Sequence, residues 1–313
     1  MATKKHEASL TGAKSVSGPI QRVTLSTERL KTATGHVTEF VSAQLRDHHS
    51  RWKAAGEQIN ALQEPFREML KQDKTSPERL KALHAALKSA TESKVSHRKP
   101  SPRKTQMEVH PGDNFLSPPW DYEWYSPNPT HIPFDFVNGW DYSETAMEVL
   151  TRDSYNGNIV GNGGSGNGTA GMGVFLSSPI ETPVSIRPFV PYDYHWDNDS
   201  WGGFTSQTSG GIGLYVFQEG NPYPVKDLHL QLWSDLQSWG HNGDSQNGYL
   251  QNLLENYEIA FTMSAGSTYN LGVYIWGHAD CSGEVADLWF LGTIGSVSAF
   301  QINANLDFLV IKT

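Results

Sequence analysis

Residues 300–310 read FQINANLDFLV, and the reading of this stretch decides the fold. Phe300, Ile302, Ala304, Leu306, Phe308 and Val310 are apolar, while Gln301, Asn303, Asn305 and Asp307 between them are polar. A strand sends successive side chains to opposite faces, so this spacing predicts one buried and one polar face. Working back toward the N-terminus, the same period of two returns in Leu271, Val273 and Ile275, then in Ile259, Phe261 and Met263. It recurs in Leu228, Leu230 and Leu232, in Ile212, Leu214 and Val216, and in Val184, Ile186, Pro188 and Val190. Clusters of Gly, Asn, Asp and Pro separate the runs. Many short strands with turn-rich spacers predict an all-β antiparallel sandwich, jelly-roll-like, over residues 120–313.

Upstream the period changes. Leu30, Ala33, Val37, Phe40 and Val41 recur at helical steps from Ser26 onward. Leu45, His48, Trp52, Ala55, Ile59, Leu62, Phe66 and Met69 then follow at alternating steps of three and four. That is a heptad-like seam, with an offset between Val41 and Leu45. Pro65 is expected to kink or restart the helix, because it has no N–H to donate. Thr75-Ser76-Pro77-Glu78 signals a second helix, striped by Leu80, Leu83, Leu87 and Ala90. The expected organisation is therefore a flexible tail over 1–24, then a basic amphipathic helical arm over 25–92, as a hairpin or coiled coil. A basic, proline-containing linker over 93–119 and the acidic β-domain complete it, giving an α+β organisation.

Charge divides along the same boundary. Residues 1–104 hold 20 Lys and Arg against 10 Asp and Glu, whereas residues 105–313 hold 4 against 23. The two pieces are expected to attract different partners or each other. The linker core, KVSHRKPSPRK over 94–104, carries no acid. It reads first as a solvated linker and second as a contact for nucleic acid or an acidic partner. No apolar h-region follows Met1–Leu10, and no stretch approaches the length of apolar chain needed to span a bilayer. Cys281 is the single cysteine, so no disulfide can form within the chain. Cytoplasmic synthesis is expected, and leaderless export is compatible with it.

Three motifs invite chemistry. The stretch 157–173, GNIVGNGGSGNGTAGMG, formally contains GxGxxG at Gly161, Gly163 and Gly166. A strand-like segment follows it instead of a helix, so a long hairpin loop is expected and not a nucleotide cradle. In DYHWDND, Asp193, Asp197 and Asp199 offer oxygen ligands that would suit calcium, although the spacing is not that of an EF-hand and an Asp/Asn-rich turn is the commoner explanation. No other cofactor is expected. His278, Asp280 and Cys281 lie close together without the further ligands or partner histidine that zinc or a thiolate nucleophile needs.

The aromatic residues are the most suggestive feature. Trp120, Tyr122, Trp124 and Tyr125 cluster before the first strands, Trp196 and Trp201 flank the acidic segment, and Trp239 lies near a strand end. Flat rings beside Asp and Asn suit a glycan surface or a protein interface. The competing reading is that most of them are core rings. No catalytic signature appears, and a non-enzymatic binding and assembly protein is the expected class. The arm would make a homo-oligomer through Leu45, Trp52, Ile59, Leu62 and Phe66, and the β-domain would recognise a glycan or protein. Three other classes fit less of the sequence: a toxin or pore-forming protein that rearranges at a membrane, a polysaccharide-acting hydrolase, and a capsid- or filament-like subunit.

Overall fold

The computed structural model describes residues 19–72, 114–129, 134–135, 146–152, 165–200, 205–238, 240–250, 257–282 and 296–313. One helix, α1 (Thr27–Gln72), follows a short strand, β1 (Gln21–Arg22). Then come β2 (Asn114–Leu116), β3 (Tyr122–Pro129), β4 (Phe134–Asp135), β5 (Ala146–Arg152), β6 (Ser165–Ser177) and β7 (Thr182–Phe189). The chain continues through β8 (Pro191–Ser200), β9 (Thr205–Gln218), β10 (Pro224–Gln237), β11 (Gly240–Tyr249) and β12 (Ile259–Met263). It ends with β13 (Thr268–Ser282), β14 (Ser296–Asn305) and β15 (Phe308–Lys312).

The strands form three antiparallel sheets. The first runs β1-β6-β13-β9-β10, with β3 sharing the outer edge of β6 with β1. The second runs β11-β8-β14-β5-β4, and the third β12-β7-β15-β2. All three turn a face to one core. Met172, Val174, Leu214, Val273 and Ile275 from the first sheet meet Trp196, Phe300 and Ile302 from the second, and Ile186, Ile259 and Leu309 from the third. The opposite face of the first sheet carries a second cluster, and α1 lies across it.

The period-two runs end up as strands, with one change of parity. Residues 300–310 form the end of β14 and the start of β15, which belong to different sheets. The chain crosses between them at Leu306 and Asp307, so the central cluster takes Leu309 and Ile311, while Val310 is buried on the other face and Phe308 is half-buried. The glycine-rich stretch is a second correction. Its residues 165–173 are not a loop but the first part of β6, in register with β13 and β3.

The sheets also take in residues from outside the expected β-domain. Residues 21–22 of the expected tail pair with Ser177 and Leu176, and residues 114–116 of the expected linker pair with β15. Arg22 fastens the first of these to Asp121 at 2.8 Å and to the Ser117 and Pro119 carbonyls. The helix continues through Pro65 to Gln72 without a restart. Pro65 and Ala61 are both exposed, so the carbonyl that Pro65 cannot serve is open to water. The expected second helix and the basic linker core lie outside the described residues.

Candidate functional site

The outer face of the first sheet alternates glycine with large rings. On β6, β9 and β13 this face carries Gly171, Gly173 and Phe175, then Gly213, Tyr215 and Phe217, then Gly272, Tyr274 and Trp276. A glycine on one strand opposes a ring on the next: Gly213 pairs with Tyr274, and Gly272 with Tyr215. Any Cβ at Gly213 would overlap the Tyr274 ring, and one at Gly173 would overlap Tyr122. The glycines therefore let the rings lie nearly flat on the sheet, which leaves a smooth seat for a helix.

That seat is filled by the first half of α1. Val37, Val41 and Leu45 are fully buried against Tyr215, Phe217, Tyr274 and Trp276, with Leu30, Ala33 and Phe40 packed at the margins. Ser26 begins the helix, its carbonyl accepting from the Leu30 N–H at 2.9 Å. Polar contacts fix the register at both ends. Arg29 grips Glu219 through two bonds of 2.5 Å, and His48 Nε2 lies 2.8 Å from Ser209 Oγ. Between them Tyr274 donates to Gln44 Oε1 at 3.2 Å, and Gln44 reaches Asp227 at 3.4 Å.

Beneath the helix the phenols form a chain. Trp124 Nε1 donates to Tyr215 Oη at 3.0 Å, Tyr215 and Tyr122 bond at 2.8 Å, and Tyr122 donates to Asn270 Oδ1. Burial pushes the Tyr122, Tyr215 and Tyr274 hydroxyls well above the ordinary phenol range, so they remain protonated and act as donors. Partial desolvation lowers the His229 imidazole, against the opposing pull of Asp227. His229 stacks on Trp276 at 4.5 Å between ring centroids, and His48 meets the same indole edge-on at 5.2 Å.

The charge split does not hold the helix down. α1 contains seven Lys and Arg and six Asp and Glu, so it is nearly neutral. The basic excess falls in the flanking segments, chiefly 73–104, with nine cations against three acids. Apolar packing and short polar contacts seat the helix.

Past the sheet contacts the seam continues outward. Trp52 is half-buried, its ring 5.8 Å from that of His48, and Ile59 is half-buried. Leu62 is 79% exposed. Phe66 belongs to the same helix, and its side chain lies outside the described residues. Of the five residues expected to assemble copies, Leu45 is thus committed to the chain's own sheet, while Leu62 lies open.

Of the four aromatic candidates whose side chains are described, three are buried. Tyr122 and Trp124 lie under α1, and Trp196 is in the main core, so none offers a free face to a sugar. Trp120 is half-buried and donates its N–H to the Leu306 carbonyl at 3.1 Å. Tyr125 is in β3 opposite Ala170, with its side chain undescribed, and Trp201 and Trp239 lie outside the described residues. DYHWDND is a strand and not a turn. Asp193, Asp197 and Asp199 alternate along β8 with core-facing Tyr194 and Trp196. Asp193 accepts from Asn303 at 3.0 Å, Asp197 is fully buried, and Asp199 pairs with His241 and Val297 in the ladders. Among the described residues, no three His, Cys, Asp or Glu side chains converge as a metal site. Cys281 lies in β13, and Asp280 accepts from Gln207 at 2.7 Å.

Sequence reasoning missed Tyr223, 71% exposed beside the partly exposed Val225 at the turn into β10. The signal was the segment Asn221-Pro222-Tyr223-Pro224, an aromatic held between two prolines in a turn. Among the described residues, no helix is long and apolar enough to cross a membrane.

No family model matches the chain. No curated protein matches it either. Among solved structures, that of the infectious bursal disease virus Gx strain aligns at 9% identity and a TM-score of 0.15, over 68% of this chain and 46% of the viral one. The GH31 alpha-xylosidase from Xanthomonas citri aligns at 8% identity and a TM-score of 0.13, over 63% of this chain and 21% of the enzyme. The chain thus spans less than half the length of either, and at such scores neither likeness bears on fold or function.

Proposed function

We propose that this chain is a non-catalytic binding and assembly protein. The three sheets are read as an antiparallel sandwich, and α1 as a strap with two tasks. Its first half completes the body by covering the glycine–aromatic face, and its second half joins copies of the chain. The observation that carries this reading is Leu62, which is 79% exposed on a seam that starts from buried Val37, Val41 and Leu45 and passes through half-buried Trp52 and Ile59. A large aliphatic side chain continuing a heptad-like row into solvent is suited to a partner helix of the same kind. At about 1.5 Å per residue the 46 residues of α1 extend roughly 69 Å, long enough to serve both tasks.

The burial of Tyr122, Trp124 and Trp196 shifts the recognition role of the body toward protein surfaces, with the Tyr223 turn as the exposed aromatic. The basic segment 73–104 is the part suited to an acidic partner. Light scattering on the full chain tests the assembly claim. The wild type is expected at a multiple of 34.7 kDa, and Ile59→Glu combined with Leu62→Glu at 34.7 kDa, with helix content by circular dichroism unchanged. A wild type of 34.7 kDa across the concentration range would refute it.

A further inference from the structure

A cleft of about 290 Å³ lies at the other end of α1 from the exposed seam, between the first turns of the helix and the turn joining β9 to β10. Its walls are largely apolar, with Leu25 and Ala33 on the helix side and Phe175 and Phe217 on the sheet side. An engineered cavity about half this size, lined by similar residues, takes up benzene. The Arg29–Glu219 pair closes one wall, with each charge engaged by the other through two bonds of 2.5 Å. Gly220, at φ 82°, shapes the turn on that side.

Besides the Glu28 carboxylate, two polar groups lining the cleft are not committed elsewhere. Asn270 is 3% exposed and ends the phenol chain: its Oδ1 accepts from Tyr122, and its Nδ2 has no acceptor among the described residues. A buried amide donor left without an acceptor is destabilising until something supplies one. The half-buried His36 imidazole also lines the cleft and has no hydrogen-bond partner among the described residues. Arg29 and Glu219 neutralise each other, so the charge left on the walls is that of the Glu28 carboxylate. An apolar slot with uncommitted hydrogen-bonding groups and a carboxylate on its wall disfavours anions and suits a neutral molecule.

We propose that this cleft binds a small, flat, mainly apolar molecule of about two fused rings that carries one hydrogen-bond acceptor. The acceptor satisfies Asn270, the rings lie against Phe175 and Phe217, and the first turns of α1 form the cover. This site is independent of the assembly reading, because it involves residues 25–36 and not the distal seam.

A matched pair of probes, 1-indanone and indane, tests it on the full chain by nitrogen–proton correlation spectroscopy. The expected result is local shifts at Ala33, His36 and Gly220, with 1-indanone bound roughly five- to tenfold more tightly than indane, the worth of one hydrogen bond. Ala33→Phe, which fills the slot from the helix side, should abolish binding of both probes. Asn270→Leu should equalise them. Should that variant not fold, the wild-type comparison and Ala33→Phe still decide the matter. Equal affinity of the two probes for the wild type, shifts confined to other parts of the protein, or no shifts at millimolar probe would each overturn the proposal.

Discussion

Gly213→Val is expected to destabilise the protein by about 3 kcal/mol, read as a lower urea midpoint with an unchanged slope. Gly213 lies on β9 directly opposite Tyr274, whose ring covers the position a Cβ would occupy. The ring cannot lift away freely, because Val41 and the rest of the α1 seam press on it from above. Its hydroxyl is also tied to His229 at 3.0 Å and to Gln44 at 3.2 Å. A branched side chain therefore forces the sheet, the ring and the helix apart together. The β propensity of valine, which favours strands elsewhere, is outweighed here by overlap within a closed layer. A midpoint within error of the wild type would mean that the ring does not lie over the glycine.

Val41→Asp is expected to release the helix and leave the three-sheet body folded. Val41 has no exposed surface and packs among Tyr215, Tyr274 and Trp276, which offer a carboxylate no cation. An unpaired charge in such a place costs about 4 kcal/mol if the helix stays seated. Undocking avoids that cost, so the loss is limited to the free energy of seating the helix. The measurable result is faster trypsin cleavage at Arg46 and Arg51 under native conditions, while the cooperative unfolding of the β body persists. Val41→Ala, losing packing only, should accelerate cleavage less. Cleavage unchanged by the aspartate would show that the helix is not seated on this face.

The sequence showed seven of the fifteen described strands, and most clearly β7, β9, β12 and β13, whose core side chains keep the period of two that burial on one face demands. It failed where that signal degenerates. Residues 308–311 are apolar throughout, so the parity change at Leu306 and Asp307 left no trace in the pattern. The glycines of β6 resembled a loop because a strand normally avoids them. Their use depends on rings from β3, about fifty residues earlier in the chain, and a linear reading cannot show that pairing. Tyr122 and Trp124 looked like surface rings for the same reason. The helix was visible, but its three-and-four spacing is identical whether a face meets its own sheet or another helix. Nothing in the residues from Leu45 to Leu62 distinguishes the two cases.

The central claim, that one helix is divided between covering its own sheet and joining copies, is tested most directly by hydrogen exchange along α1 at several protein concentrations. The expected result is that amides of residues 30–48 are strongly protected at every concentration, while those of residues 55–69 gain protection only as concentration rises. Uniform protection along the helix that does not depend on concentration, or rapid exchange in residues 30–48, would contradict it.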